Sequence, residues 1–411
     1  MKTDKMILAE NCIYSTDSEE TQLNNNVIVV GASGSGKTLS VAEPCLMETY
    51  NSNLIVTVSK AKLINKYKTV FKARGYKVMV MDFVLPTSGN VVYDPMAYVS
   101  TEEDIVFLAK SIVLANPKKQ MTNADPYWDD TAISLLCAEM AYARYKNAKA
   151  TFRDVLALHY KLEVYYDNEG RVLTTLDDEF NALSKYSFAS KCWRSFRSVT
   201  ERTMRCIYGC LNTLLDTIFT RKWDHTMRLR KSVDFAKFSN EKSVLFILTS
   251  PVNPSMHFLA NMFYAQAFRQ LFEIAERNLG GALTIPVRFL ADDFAVGAKI
   301  LDFPEYISIF REKKISVMLL IQSDSQLESM YGHYDAVTIR NNCDSYVYMG
   351  GNDMDTCVDI SRRANLSLQD VMYMQRGKVI VFRSGTKPVI TQRYPTLENE
   401  LYQLITDKKI G

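Results

Sequence analysis

Several features that mark other classes of protein are missing from this 411-residue sequence. None of its eight cysteines forms a C-x-x-C pair, so the usual spacing of a zinc site is absent, and we expect reduced, mostly buried cysteines. The N-terminal apolar run is too short for a signal peptide. The longest uncharged stretch, residues 243–268, is broken by two prolines, whereas a membrane helix needs about 20 mainly apolar residues. The sequence therefore predicts no membrane span in this chain.

An excess of one sign of charge is also missing. The 49 Lys and Arg residues nearly balance the 46 Asp and Glu residues, which gives a net charge of +3. Composition therefore does not identify a nucleic-acid-binding protein, and any basic surface must be local. The shares of hydrophobic residues (47%) and charged residues (23%) are typical of a soluble globular protein. The length predicts two domains, or one large domain with an insertion.

Short apolar runs alternate with segments of helical periodicity before residue 101 and again after residue 235, but not between these positions. Near the N-terminus, runs at 26–31, 53–58 and 77–81 predict strands, with helices over 37–50 and 60–74 between them. Strands are predicted again at 243–248, 287–291, 316–321, 345–349 and 378–382. Between about 101 and 235 only helices are predicted. We therefore expect an α/β domain with a mainly parallel sheet flanked by helices, built from residues 1–100 and 236–411, and an all-α inserted domain over 101–235.

One short segment carries a phosphate-binding motif. Glycine is scarce, with 16 in the whole chain, yet three fall within six residues in Gly31-Ala32-Ser33-Gly34-Ser35-Gly36-Lys37-Thr38. This segment fits G-x-x-x-x-G-K-[ST], follows a predicted strand and precedes a predicted helix. Backbone amides of such a loop cradle phosphates, Lys37 would bridge the β- and γ-phosphates, and Thr38 would ligate magnesium. The sequence predicts binding of ATP and Mg²⁺, with contacts extending to Leu39.

A second motif supplies carboxylates. The apolar run at 287–291 leads into Asp292 and Asp293, at the carboxyl end of a strand where ligands of open α/β sheets bind. We interpret Asp292 as the magnesium-side acid and Asp293 as the base that orients the attacking water. Gln322 ends another predicted strand and is a candidate for sensing the γ-phosphate. An aspartate at 293 is one methylene shorter than a glutamate and would position the attacking water less well. We therefore expect slow ATP hydrolysis, whereas the prediction of ATP binding does not depend on this residue.

Together these motifs resemble the TraG/TraD-like coupling ATPases of conjugative type IV secretion, particularly those of Gram-positive integrative elements. The resemblance rests on five segments in the family's order: NNNVIVVGASGSGKT, DPYWDD (125–130), VRFLADDFAVG, IQSDSQLESMYG and IRNNCDSYVYMGG. Pro44 and the segment ISIFREKKIS also match family positions. The chain departs from the family where Asp293 replaces a glutamate and where only Lys60 remains of a D-P-K-G-E block. It also departs in lacking the usual N-terminal membrane helices.

The resemblance implies a RecA-like motor that assembles into a ring, a homo-hexamer, and acts on single- or double-stranded DNA. It implies relaxase and type IV secretion channel proteins as partners, and a cytoplasmic location at the inner face of the membrane, held through those partners. It also implies that a neighbouring subunit supplies an arginine to each ATP site. Arg311 occupies a family arginine position and Arg340 is a second candidate; the sequence leaves both open.

A local basic surface is predicted in the helical insertion. Four cations share roughly one face of a predicted helix over 189–219: Lys191, Arg194, Arg202 and Arg205. Cations at this spacing can follow DNA phosphates. Trp193 and Phe196 are interleaved with them and either stack on unpaired bases or pack inward against the protein.

Three functions fit these patterns. The first is an ATPase that recruits or pumps DNA, as a relaxase-bound single strand, into a secretion channel. The second is an adaptor of the same apparatus that binds ATP with weak or no hydrolysis. The third is a soluble HerA-like or FtsK-like DNA motor, which shares the core motifs but not the D-P-Y-W block.

Overall fold

The structure is a computed structural model that describes residues 2–85, 88–115, 126–221, 223–224, 231–250, 253–294 and 296–407. Its strands are β1 (Lys5–Ala9), β2 (Cys12–Ser15), β3 (Val27–Val30), β4 (Asn53–Val58), β5 (Lys77–Asp82), β6 (Val164–Tyr166), β7 (Val172–Thr174), β8 (Ser243–Leu248), β9 (Val287–Ala291), β10 (Ile315–Ile321), β11 (Ser345–Tyr348), β12 (Lys378–Arg383) and β13 (Val389–Gln392).

The α-helices are α1 (Ser18–Thr21), α2 (Glu43–Met47), α3 (Ala61–Ala73), α4 (Glu102–Leu114), α5 (Pro126–Lys146), α6 (Phe152–His159), α7 (Asp177–Asn181), α8 (Phe188–Arg197), α9 (Glu201–Ile218), α10 (Phe235–Phe238), α11 (Pro254–Arg277), α12 (Phe303–Ile309), α13 (Asp324–Tyr331), α14 (His333–Asn341), α15 (Met354–Ala364), α16 (Leu368–Met372) and α17 (Glu400–Asp407). Within the described segments, every helix is too short or too polar to cross a lipid bilayer.

Nine strands form one central sheet in the order β13-β12-β11-β3-β10-β9-β4-β8-β5. The strands from β11 to β5 are parallel, and β12 and β13 extend the sheet as an antiparallel hairpin. The predicted α/β class with a mainly parallel sheet is thus confirmed. Because β10 lies between β3 and β9, the segments that follow these three strands emerge at one edge of the sheet.

Both faces of the sheet are covered, which explains why its strands read as continuous apolar runs. In β3, Val27 and Val29 point to one core with α2 and α3, while Ile28 and Val30 point to the opposite core. That second core also includes α4, α5, α9 and α11. The described helices α4, α5 and α9 of the region between 101 and 235 therefore pack on the sheet through a continuous apolar core.

The sequence prediction of no strand between 101 and 235 is wrong in one place. Strands β6 and β7 pair as a short antiparallel hairpin around Gly170, which has a φ of 75°. The helix predicted over 189–219 is also two helices, because the chain breaks at residues 198–200 and Thr200 caps α9. The boundaries of the inserted domain stay a prediction, and Asp125 of the D-P-Y-W block lies outside the described residues.

The helix that follows the phosphate-binding segment is irregular. A π-helical turn spans Thr38–Ala42, and only then does α2 begin, with Pro44 in its first turn. Proline has no amide hydrogen to bond the carbonyl four residues earlier, so the helix is free to widen there. The predicted regular helix over 37–50 is therefore shorter and wider at its start than expected.

Candidate nucleotide-binding site

The loop between β3 and the π-helical turn, residues 31–38, is fixed to the ends of the two neighbouring strands. The amide of Gly31 donates to the carbonyl of Ile321, at 3.2 Å, and the amide of Ala32 donates to the carbonyl of Gly350, at 2.9 Å. Gly34 and Gly36 have φ angles of 77° and 94°, in the left-handed region that glycine enters without a steric cost. The loop therefore turns sharply while its base stays attached to the sheet.

The same loop presents hydrogen-bond donors without protein acceptors. Within the described residues, the amides of Ser33, Gly34 and Gly36 make no backbone hydrogen bond. The Ser35 hydroxyl is buried in the loop and also lacks a partner there. The buried Ser35 hydroxyl is the notable donor of this set, because buried polar groups in native proteins are seldom left without a partner. The arrangement fits a phosphate group held by backbone amides.

Lys37 is buried, and its ammonium group bends back over the loop. Nζ donates to the carbonyl oxygens of Gly31 and Ala32, the latter at 3.3 Å. Burial lowers the pKa of Lys37, while the negative charges of Asp292 and Asp293 act in the opposite direction. In this position the lysine lies in the cleft and is held against the carbonyls of the loop.

Asp292 faces Thr38 directly, although 254 residues separate them. The Thr38 hydroxyl lies 3.2 Å from Oδ2 of Asp292 and 3.4 Å from Oδ1. Burial raises the pKa of Asp292 to about 6, with Asp293 adding to the increase and Thr38 and Lys37 opposing it. The site thus holds a carboxylate whose charge is only partly balanced by its protein neighbours.

The Thr38 and Asp292 oxygens are suited to magnesium, which prefers oxygen ligands and keeps several waters. A hydroxyl and a carboxylate in contact beside a phosphate cradle fit this ion without further protein ligands. Within the described residues, no cluster of three or more His, Cys, Asp or Glu side chains could hold a metal by itself. The donor set therefore matches a metal shared with a bound phosphate.

Asp293 and Gln322 lie in the same cleft as Lys37, Thr38 and Asp292. Asp293 has a φ of 54°, a left-handed conformation that aspartate tolerates better than most residues. Gln322 follows β10, the strand between β3 and β9, and its side chain is exposed to the cleft. The structure thus brings together the residues that the sequence selected from three separate segments.

The cleft has a volume of about 540 Å³ and contains residues that the sequence analysis did not select. Glu43 on α2 accepts hydrogen bonds from Lys66 at 2.6 Å and Tyr67 at 2.8 Å, both on α3. Nζ of Lys66 lies 3.2 Å from the ring centroid of Tyr402, on the C-terminal helix α17. Glu43, Lys66 and Tyr402 line the cleft, and Tyr67 is a buried partner of Glu43; only the fold brings these side chains together.

Two arginines near the phosphate-binding loop were also missed. Arg376 precedes β12 and Arg393 follows β13, and antiparallel pairing brings these two ends of the hairpin together. Nη2 of Arg376 lies 3.4 Å from the carbonyl oxygen of Gly34. Arg393 packs against Gly36 so closely that a Cβ atom at that glycine would lie 3.2 Å from its Nη1. The β-branched run Val-Ile-Thr at 389–391 is typical of a strand, and it could have predicted the second strand of this hairpin from the sequence.

The two candidate arginines for action on a neighbouring subunit differ in their surroundings. Arg340 is engaged within its own chain, 3.0 Å from Glu328 and 3.7 Å from Asp324. Arg311 is exposed, and its guanidinium lies 3.4 Å from the amide oxygen of Gln22. It follows α12 and precedes β10, so it lies at the amino edge of the sheet, opposite the nucleotide cleft. Neither arginine lines the cleft of its own chain.

The four cations of the predicted basic surface lie on two helices and not on one. All four cations are exposed: Lys191 and Arg194 on α8, and Arg202 and Arg205 on α9. Arg205 pairs with Glu201, and Arg194 donates to the carbonyl of Lys185 at 2.7 Å. Trp193 and Phe196 are buried, and Trp193 stacks on Phe180 at 4.2 Å. These two aromatic residues therefore pack inward and do not face a ligand.

The parallel sheet, the phosphate-binding loop after β3 and the carboxylate after β9 define a RecA-like P-loop NTPase. The chain also matches the family model for type IV secretory system conjugative DNA transfer over residues 2–365. Because this match spans most of the 411 residues, the chain belongs to that family. Membership favours the conjugative interpretation over a HerA-like or FtsK-like motor.

Solved structures share the fold at low identity. The plasmid coupling protein TrwB in complex with ADP and Mg²⁺ is 14% identical, with a TM-score of 0.67 over 90% of this chain and 85% of that chain. An unbound form of the TrwB coupling protein is 14% identical and has a TM-score of 0.70, over 95% of this chain and 89% of that chain. VirB4 of Thermoanaerobacter pseudethanolicus is 13% identical and has a TM-score of 0.54, over 94% of this chain and 96% of that chain. No curated protein gives a significant match.

Proposed function

We propose that this protein is a coupling ATPase that hydrolyses ATP to recruit or move DNA into a type IV secretion channel. The observation that carries the proposal is the contact between Thr38 and Asp292, at 3.2 Å, beside a loop of unsatisfied donors. This contact joins the phosphate cradle to the acidic strand in the arrangement that P-loop ATPases require. Family membership supplies the conjugative context.

The chain's own groups divide the work of hydrolysis. The loop amides hold the phosphate oxygens, and Lys37 turns from the carbonyls of the loop to the β- and γ-phosphates. Thr38 and Asp292 would hold Mg²⁺, and the ion would supply positive charge beside those phosphates. Asp293 orients the attacking water and accepts its proton, and Gln322 hydrogen-bonds near the γ-phosphate from the strand between the two motifs.

A second copy of the chain completes the site in this proposal. Arg311 lies at the amino edge of the sheet, outside the nucleotide cleft of its own chain, and its exposed side chain is available to a neighbouring chain. Arg340 is held by Asp324 and Glu328, which makes it the weaker candidate. An arginine given in trans stabilises the charge that develops on the transferred phosphoryl group. A closed ring, a homo-hexamer in the family's pattern, gives every site such a partner.

The DNA surface in this proposal is the exposed basic face of α8 and α9, defined by Lys191, Arg194, Arg202 and Arg205. Because the aromatic residues between them are buried, contact is with phosphates and not by base stacking. Such contacts weaken steeply as salt rises. Charge reversal at Lys191 and Arg194 is expected to weaken DNA binding, while reversal of the exposed Lys161, elsewhere in the helical region, is a matched control.

Relaxase and channel proteins follow as partners from the family context, with a cytoplasmic position at the inner face of the membrane reached through them. Co-purification tests the relaxase as a partner. We expect the relaxase to co-purify with the wild-type protein and to be lost on substitution in the helical region.

ATP turnover of the purified protein, with and without single-stranded DNA, tests the main proposal. Wild type is expected to release phosphate and to be stimulated by DNA, because transfer and hydrolysis are coupled. Lys37→Ala is expected to abolish turnover, and Lys72→Ala, an exposed lysine of α3 outside the cleft, is the matched control. Equal hydrolysis by wild type and Lys37→Ala would refute the assignment.

The second candidate function, an adaptor that binds ATP without efficient hydrolysis, is favoured by the short and left-handed Asp293. It predicts nucleotide binding that depends on Lys37, together with turnover that stays at background in the presence of DNA and oligomer. Measuring binding and turnover on the same preparation separates the two functions.

A further inference from the structure

The nucleotide cleft continues beyond the part that binds phosphate. Its volume of about 540 Å³ is typical of a pocket that encloses a whole small ligand. Lys37, Thr38 and the carboxylates after β9 account for the phosphate and metal side of this space. Another part of its wall is formed by Leu39, Leu63 and Tyr402. The groups in that part determine what the cleft holds besides a phosphate chain.

Tyr402 is the only aromatic side chain among the described residues that line the cleft. It belongs to α17 and is half-buried, so part of its ring remains accessible. Every nucleobase has a flat face that can stack on an aromatic ring, and such stacking does not depend on which base is present. An aromatic ring in the same cleft as a phosphate cradle therefore fits the nucleoside part of a nucleotide.

The segment that carries Tyr402 is attached to the end of the phosphate-binding loop. A 3₁₀ turn at Thr396–Glu398 precedes α17, and the hydroxyl of Thr396 donates to the carbonyl of Leu39 at 2.7 Å. The amide of Tyr402 donates to Oδ1 of Asn399 at 3.1 Å, which fixes the first turn of α17. One wall of the cleft thus runs from the residue after Thr38 to the ring of Tyr402.

The ring of Tyr402 is held in place before any ligand binds. Nζ of Lys66 lies 3.2 Å from its centroid, and the same Nζ pairs with Glu43 at 2.6 Å. On either side of the ring along α17, Leu401 and Ile405 pack against the core that contains α2 and α3. A ring that is already ordered loses little side-chain freedom on binding. Because Lys66 covers one face, the other face is the one that a ligand can use.

The metal side of the cleft indicates where the nucleoside lies. Thr38 and Asp292 would hold the ion beside the terminal phosphates, and Asp293 and Gln322 are the candidates for contact with the attacking water and the γ-phosphate. The nucleoside is attached to the opposite end of the phosphate chain. It therefore occupies the part of the cleft that these groups leave free, and Tyr402 lines that part.

We propose, on the basis of the nucleotide binding proposed above, that the ring of Tyr402 stacks on the base of the bound nucleotide. Stacking recognises the face of a base and not its edge. The carboxylate of Glu43 is already engaged by Lys66 and Tyr67. The site is therefore expected to accept adenine and guanine alike.

Calorimetric titration of the full-length protein with Mg-ADP, Mg-GDP and magnesium tripolyphosphate tests this role. Tripolyphosphate has a phosphate chain without a nucleoside. Tyr402→Ala is expected to raise the dissociation constants of ADP and GDP by about tenfold or more, while that of tripolyphosphate stays unchanged. Tyr402→Phe keeps the ring and is expected to bind ADP as wild type does.

Two further variants separate the ring from the helix that carries it. Leu404→Ala, at an exposed position of α17, is expected to leave the affinities for ADP and tripolyphosphate unchanged. Tyr402→Leu keeps an apolar side chain that can pack against Leu401 and Ile405 but has no ring. It is the variant to use if Tyr402→Ala does not fold, and it is also expected to lose affinity for ADP. Thermal unfolding without ligand compares the stability of all variants.

Unchanged ADP affinity in Tyr402→Ala or Tyr402→Leu would overturn the stacking role. An equal loss of affinity for ADP and tripolyphosphate would also overturn it, because damage to the whole cleft would explain that result. So would a loss in Tyr402→Phe as large as that in Tyr402→Ala. Failure of the proposed nucleotide binding itself gives a different result, since wild type would then bind neither tripolyphosphate nor ADP.

Discussion

Replacing Asp292 by asparagine is expected to stabilise the nucleotide-free protein while it weakens magnesium-dependent nucleotide binding. Burial and the neighbouring Asp293 raise the pKa of Asp292 to about 6 from 3.8, so its charged form is disfavoured in the folded state. A shift of about two units corresponds to at most about 3 kcal/mol, and partial exposure of the carboxylate to the cleft reduces this. Asparagine keeps the shape and can still accept from Thr38.

The gain in unfolding free energy from Asp292→Asn should be larger at high pH than at low pH. Because the folded-state pKa is raised, the folded protein binds the proton more tightly than the unfolded chain, and the cost of the charged carboxylate is fully present above about pH 6. The cost disappears as the pH falls from about 6 to below about 4, where the group is protonated in both states. Asp292→Asn should therefore exceed wild type in unfolding free energy at pH 8, and the difference should disappear only below about pH 4.

Urea unfolding at a series of pH values measures this difference, and titration of Mg-ADP onto both proteins measures the functional cost. Wild-type magnesium affinity is also expected to fall as the pH drops through about 6, because a proton then competes for the carboxylate. A destabilised Asp292→Asn at pH 8, or an unchanged response to magnesium, would refute this account of the site.

Further substitutions, each with its control or contrast, test the remaining groups. Asp293→Glu is expected to keep or raise ATP turnover, because the longer carboxylate reaches further toward the attacking water; a large loss of turnover would contradict its role. Arg393→Ala is expected to raise the dissociation constants of ADP and ATP alike by about tenfold, with kcat retained, whereas Lys387→Ala, in the turn of the same hairpin, should change neither. Arg311→Ala should lower turnover by the oligomer without lowering stability, while Arg340→Ala should lower the unfolding free energy because Asp324 and Glu328 lose their partner.

The local parts of the site could be predicted from the sequence because their chemistry lies in contiguous residues. A loop of three glycines and a lysine after an apolar run defines its own backbone path, and the same holds for the carboxylates that end β9. The parallel sheet followed from alternating strands and helices. Helix breaks were harder: the turn at residues 198–200 between α8 and α9 has no glycine or proline to mark it.

Contacts between distant segments were decided only by the tertiary structure. The order of strands places β10 between β3 and β9, and this position, not any local pattern, brings Gln322 to the cleft. The hairpin of β12 and β13 delivers Arg393 to the phosphate-binding loop, and α17 delivers Tyr402 to the far end of the cleft. Sequence determined which groups can bind a phosphate, since backbone conformation and side-chain type are local properties. Packing of the two apolar cores determined which of those groups meet, since burial of surface from the whole chain selects a single arrangement.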